Sequence, residues 1–219
     1  VPGPVLSALQ DLLAGIYDVP LAHDVYDYLV TDPGCVPGAE RRPACDEQLL
    51  VARDGDGIAI ALYLDPQVLS RLAAADPLEN LTAGNLADCW TALEGVSHFH
   101  YLAFHAGHDH EISRLELETQ AEVDKYVATF LLLRRQQPGH FPLELHRILF
   151  GQAYVDPQLP PGRAALYRRA SAYAARFCRR IEGRLRRPAE AEAREVSAEL
   201  RRFYRFTEAR KLAHIDRCA

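Results

Sequence analysis

The spacing of apolar positions divides the chain into a series of helices and one hairpin. Val5, Leu6, Leu9, Leu12, Leu13 and Ile16 recur at helical intervals, which predicts a helix from Pro4 to Tyr17 with proline suited to the first turn. Residues 24–30 read as a short helical turn, and residues 31–43, rich in proline and glycine, as a loop. Between Glu47 and Leu64 the pattern changes. Two apolar runs, 48–52 and 58–64, flank Asp54-Gly55-Asp56-Gly57, and Asp-Gly between such runs favours a tight β-hairpin. Those four residues lack the downstream oxygen ligands and closing Glu of a calcium loop, so the turn reading stands alone.

From Asp65 onward the pattern is helical. Asp65 caps a helix over Pro66 to Ala75, and a second runs from about Asn85 to Ala106. A third starts at His110 or Glu111 and ends near Gln136, and a short fourth runs from Pro142 to Phe150-Gly151. After a stiff Pro157–Pro161 linker, Gly162 to Arg187 carries one apolar stripe through Leu166, Ala170, Tyr173, Phe177 and Ile181. Pro188 interrupts it. Ala189 to about His214 then reads as a single last helix with Val196, Leu200, Phe203, Tyr204 and Leu212 inward. The expected fold is α+β, mainly α: a helical bundle with one β-hairpin in the N-terminal third and a long basic C-terminal helical hairpin. Its 219 residues suit one domain over 1–219.

Composition narrows the class without naming a function. With 48% hydrophobic and 25% charged residues the chain is unlike a disordered one, and no apolar run is long enough to predict a membrane span. Cys35, Cys45, Cys89, Cys178 and Cys218 form no C-x-x-C pair, which points to a reducing, cytoplasmic setting, with Cys89 and Cys178 as small core residues. The first residues show no basic stretch leading into an apolar one, so no secretory leader is expected.

The formal charge of −5 is the remainder of a larger asymmetry. Residues 1–160 carry a net −14 and residues 161–219 a net +9. An acidic body (1–156) and a basic hairpin (157–219) are therefore expected to pack together, or the hairpin to reach another molecule. Of the 25 basic residues, 23 are arginine. Arg168, Arg169, Arg176, Arg180, Arg202 and Arg205, with Tyr204 and Phe206 interleaved, are the candidate partner-binding residues, because guanidinium forks suit phosphates and carboxylates. An acidic protein or nucleic acid would be the partner. No membrane partner is expected, and a homo-oligomer stays open.

Five of nine histidines lie between His98 and His110. On a helix at ~100° per residue, Glu94, His98, Tyr101 and His105 fall on one polar stripe of an otherwise apolar helix. An antiparallel turn at Gly107 would bring Glu118 or Glu122 of the next helix, with Lys125 nearby, towards Glu94 and His98. Glu94, His98, His105, Glu118 and Glu122 are therefore the candidate metal ligands, and zinc, iron or manganese the candidate ions. The set resembles the kit of carboxylate-bridged metal proteins but departs from their Glu-x-x-His spacing, since three residues separate Glu94 from His98. The competing reading is a buried polar network. His110-Glu111 falls short of the zincin motif because Arg114 stands where its second His belongs. Neither the His105–His110 run nor the His108-Asp109 dyad completes a hydrolase signature. Gly-rich phosphate loops and nucleophile elbows are absent from the sequence. Three functions follow: first a non-catalytic interaction or adaptor protein using the arginine-rich surface, then a metal-dependent hydrolase or oxidoreductase, then a nucleic-acid-binding protein.

Overall fold

The computed structural model describes residues 5–36, 46–54, 57–106, 111–151, 159–186 and 190–217. Several sequence expectations lie outside them: Pro4, the loop beyond Val36, the Gly55-Asp56 turn, the Gly107–His110 segment, most of the proline linker, and Pro188 with Ala189.

The fold is mainly α, with eight helices and a three-stranded sheet among the described residues. Helix α1 (Val5–Tyr17) buries Leu6, Leu9 and Leu13 on its predicted stripe. A 3-10 turn (Val25–Tyr28), capped by the Asp24 side chain, leads into β1 (Leu29–Val30). The expected hairpin is present: β2 (Glu47–Asp54) pairs antiparallel with β3 (Gly57–Leu64), with Asp54 opposite Gly57. The pattern did not announce β1, whose two residues lie parallel to β3 at Leu62 and Tyr63.

Asp65 caps α2 (Pro66–Ala74) by accepting from the Gln67 N–H. Helix α3 (Leu86–Ala106) is the central element, touching α1, α2, α4 and the sheet. Its apolar residues occupy most of its circumference, which suits a helix enclosed on nearly all sides. Helix α4 (Arg114–Gln136) begins later than expected, because Ser113 accepts from the Glu116 N–H and sets the cap. The short α5 (Leu145–Gly151) and the long α6 (Pro161–Leu185) pack on α4.

The last expected helix is two. Helix α7 (Glu190–Tyr204) ends at Tyr204, and α8 (Glu208–Asp216) begins after a break at 205–207. Glu116 of α4 accepts the Glu208 N–H at 3.1 Å, which anchors the new N-terminus. The break resets the helical phase. Lys211 (1% exposed) and Ile215 turn inward, while Leu212, expected inside, is only half-buried.

Gly95 sets how closely α3 meets the sheet. A Cβ there would sit 2.9 Å from Leu62 Cδ1 and 3.0 Å from Glu47 Cγ. Gly95→Ala should therefore lower stability by about 1 kcal/mol, overpacking of ~1–3 kcal/mol outweighing the ~1 kcal/mol gain in helix propensity. A urea midpoint at or above that of the wild type would show the approach to be looser.

Candidate metal centre

Glu94 and His98, four residues apart, project from one face of α3. Antiparallel α4 presents Glu118 to them. One donor atom from each of Glu94, His98 and Glu118 lies within 4.8 Å of the others. A first coordination sphere of radius ~2.0–2.5 Å spans donor separations of about that size.

His98 Nδ1 stands 3.2 Å from Glu47 Oε1, and Nε2 stands 3.5 Å from Glu118 Oε2. The first contact is a hydrogen bond in which Nδ1–H donates to the carboxylate. The second is too long for one, so the buried Nε2 has no hydrogen-bond partner. A carboxylate on the far nitrogen is the arrangement that aims a metal-binding histidine.

Lys125 neighbours the same carboxylates. Its ammonium is 3.0 Å from Glu94 Oε2 and also pairs with Glu122. The group thus holds Glu47, Glu94, Glu118 and Glu122 against one ammonium and one imidazole. Burial works against each charged form, and the neighbours decide the outcome. Burial, with Glu94 and Glu118 adding to it, holds Glu122 above the usual carboxylate range despite Lys125. Lys125 and His98 overcome burial at Glu94 and hold it below that range. Burial also lowers His98, but Glu47 and Glu118 outweigh it and raise His98 well above its ordinary value. Tyr167 of α6, pushed up to about 12 by burial and then by the Glu118 charge, borders the group. The Glu94 side chain keeps 28% of its surface exposed, so the cluster opens to solvent on that side.

The structure brings together three of the five candidate ligands. Glu122 faces Lys125 instead. His105 lies apart: its Nε2–H donates to the Tyr204 carbonyl at 3.2 Å, and its ring packs on Tyr101. Seven residues along a helix advance ~10 Å, so His98 and His105 share a stripe but not an ion. Glu47 escaped the sequence reading because the hairpin brings it in from 51 positions away.

A separate buried network lies deeper between α1, α3, α4 and α8. Asp124 accepts from Ser97 Oγ at 2.6 Å, from Gln120 Nε2 at 2.7 Å and from the Tyr17 hydroxyl. Lys211 donates to Gln120 Oε1. Tyr101 donates to Glu116 at 2.6 Å. His100 Nδ1 accepts from the Tyr204 hydroxyl at 2.6 Å, and its Nε2–H donates to the Val19 carbonyl at 3.1 Å. Burial lowers His100 to about 4, so it is a neutral core residue. A buried polar network thus surrounds His100, on another part of α3 from the Glu94, His98 and Glu118 cluster.

The candidate partner-binding arginines divide in two. Arg176 pairs with Asp216 at 3.0 Å, and Arg180 with Glu199 at 2.5 Å. Arg205 donates to the Tyr17 and Asp18 carbonyls at 2.9 and 3.0 Å. Arg168, Arg169 and Arg202 are exposed, Arg169 lying over the Tyr173 ring. Among the described residues, ion pairs of the basic segment run mostly within it, and Arg201–Asp18 at 3.6 Å reaches the body. Packing of α6 on α4 is the most extensive contact between the two parts, with Arg201–Asp18 and the Lys211 neighbours Glu116 and Asp124 adding opposite charge. Comparison with protein-family models, curated proteins and solved structures finds no match for the chain. No described helix is long and apolar enough to cross a membrane.

Proposed function

We propose that the protein is a metal-dependent hydrolase whose ion is held by Glu94, His98 and Glu118. The observation that carries this reading is the buried His98 Nε2, which makes no hydrogen bond and stands 3.5 Å from the Glu118 carboxylate, while Glu47 fixes its other nitrogen. An ion would take the place of the proton that these carboxylates favour on the ring. Three protein ligands leave positions for water and substrate, as catalytic rather than structural sites do. Two carboxylates and one imidazole favour manganese, iron or zinc over softer ions. A bound ion would lower the pKa of its water and supply hydroxide. Lys125 fills the space between Glu94 and Glu122 where a second cation would sit, so the expected stoichiometry is one ion per chain.

The test is metal analysis of protein purified metal-free and then reconstituted with manganese, iron or zinc. The expected result is one ion per chain, with Glu118→Gln and His98→Ala each weakening affinity at least ~10-fold. Absence of stoichiometric metal under every condition ends the metal reading. Metal binding without turnover on ester, amide and phosphoester panels ends the hydrolase reading. The adaptor reading stands second, supported by the exposed Arg168, Arg169 and Arg202.

A further inference from the structure

The Arg-rich face of α7 and the start of α8 forms two adjoining concavities. One, of about 460 Å³, is lined by Asp18, Arg201, Arg202, Arg205, Phe206 and Arg210. The other, of about 670 Å³, is lined by Ala193, Arg194, Ser197, Ala198 and Arg201. Arg201 lines both, so the two adjoin as one shallow trough. Positions 194, 197, 198, 201 and 202 make a single stripe of α7 that extends ~12 Å, with Arg205 just beyond the end of the helix.

Arg201, Arg202 and Arg210 are poorly compensated. Glu195 and Glu199 of α7 pair with Arg180 and Arg184 of α6. Arg201 has only the long contact to Asp18 at 3.6 Å. Arg202 and Arg210 are exposed, and no carboxylate of the described residues pairs with either. Arg205 is rigidly placed, held by the Tyr17 and Asp18 carbonyls and lying over the Phe104 ring at 5.7 Å. Phe206 puts a half-buried aromatic ring among these guanidiniums.

We infer that this trough binds a single strand of nucleic acid, its phosphates on the Arg201, Arg202, Arg205 and Arg210 guanidiniums and a base on Phe206. Three features favour a strand over a lone anion. The trough is elongated, its cations repeat along its length, and an aromatic face interrupts them. A groove that tracks a backbone and offers stacking platforms is how sequence-tolerant single-strand binding is built. An acidic peptide would use the cations but has no need of the ring. The inference involves none of the metal-centre residues, so neither reading depends on the other.

Fluorescence anisotropy of a labelled oligouridine of about a dozen nucleotides, titrated with the full chain at ~50 mM salt, tests it. Binding should weaken as salt rises. Arg202→Glu with Arg210→Glu should lower affinity at least ~10-fold and reduce the slope of log K against log salt by about 1.4. Phe206→Leu should weaken binding ~5-fold or more with that slope unchanged, since stacking is worth ~1–3 kcal/mol per base. Arg168→Glu with Arg169→Glu, charge reversals outside the trough, should stay within ~3-fold of the wild type. The charge-reversal variants should keep the wild-type melting temperature, and Phe206→Leu should stay folded at the assay temperature. Three results would each overturn the proposal: no binding at ~50 mM salt, equal losses in the two charge-reversal pairs, or equal affinity for polyglutamate of the same charge.

Discussion

Replacing Asp124 by alanine should remove about 4 kcal/mol of stability, the largest loss expected from any single change in the polar interior. Asp124 is fully buried on α4 and accepts from Tyr17 of α1, Ser97 of α3 and Gln120 of its own helix. One carboxylate therefore ties three helices. Truncation would strand the Tyr17 and Ser97 hydroxyl hydrogens, each costing about 1–3 kcal/mol when buried without an acceptor, while the Gln120 amide keeps its bond to the Tyr17 oxygen at 3.2 Å. It would also remove a negative neighbour of the buried Lys211. Tyr17 and Gln120 would lose their common anchor, and Tyr17 stacks on Tyr204 at 4.1 Å, so the effect reaches α7. Asp124→Asn keeps the shape and one acceptor. Both hydroxyls can turn to accept, so that variant should lose about half as much. Urea denaturation with an unchanged m-value is the measurement. A loss below about 1 kcal/mol for the alanine variant would mean that water replaces the carboxylate and that the network does not tie the helices.

The helices and the hairpin were legible because each rests on local periodicity. Leu9 and Leu13 of α1, or Leu49 and Leu62 across the hairpin, carry a signal within a few residues of themselves. The strand β1 was not legible, since two residues have no period to show, and only pairing with β3 makes them a strand. The break at 205–207 was also hidden. The apolar series Val196, Leu200, Phe203 and Tyr204 continues numerically into Leu212, and only the Glu116–Glu208 contact shows where the helix restarts. Of the site, the part written in helical spacing was readable: Glu94 with His98, and Glu118 on the facing helix. The part that depends on tertiary placement was not. Glu47 comes from the hairpin, Tyr167 from α6, and the distance between His98 and His105 comes from axial rise rather than angle. The charge asymmetry was correctly visible as a number, but not its resolution. The carboxylates of α6, α7 and α8 pair with Arg176, Arg180 and Arg184, whereas Arg202 and Arg210 face solvent.

The only two lysines of the chain, Lys125 and Lys211, are both buried, and Lys211 should give the protein an unusual pH dependence. Lys211 is 1% exposed, donates to Gln120, and lies 4.5 and 4.7 Å from the centres of the Tyr101 and Phe203 rings. Burial lowers it to about 7, although Glu116 and Asp124 pull the other way. In the unfolded chain its pKa returns to ~10.4, so above neutrality the unfolded state binds a proton that the folded state has released. Lys211 should therefore add stability as pH rises from about 7 to 9, by no more than ~1.4 kcal/mol per pH unit. His98, held well above its ordinary value by Glu47 and Glu118 despite burial, opposes it over the same interval, because the folded state keeps a proton that the unfolded chain releases above ~6.5. Burial raises Asp124 to about 6, which lowers stability as pH rises from about 4 to 6. Burial lowers His100 to about 4, which raises stability across nearly the same window and offsets Asp124. Cys89, raised to about 12 by burial, and Cys178, also raised by burial, oppose Lys211 from about 8 upward, where an unfolded thiol ionises. Comparison with Lys211→Met isolates Lys211, because His98 and the thiols titrate in both proteins. The variant keeps the aliphatic stem and removes the charge, so the wild type's urea midpoint should climb relative to the variant's from about 7 to 9. Parallel profiles would mean that Lys211 keeps its proton in the fold through Glu116 and Asp124.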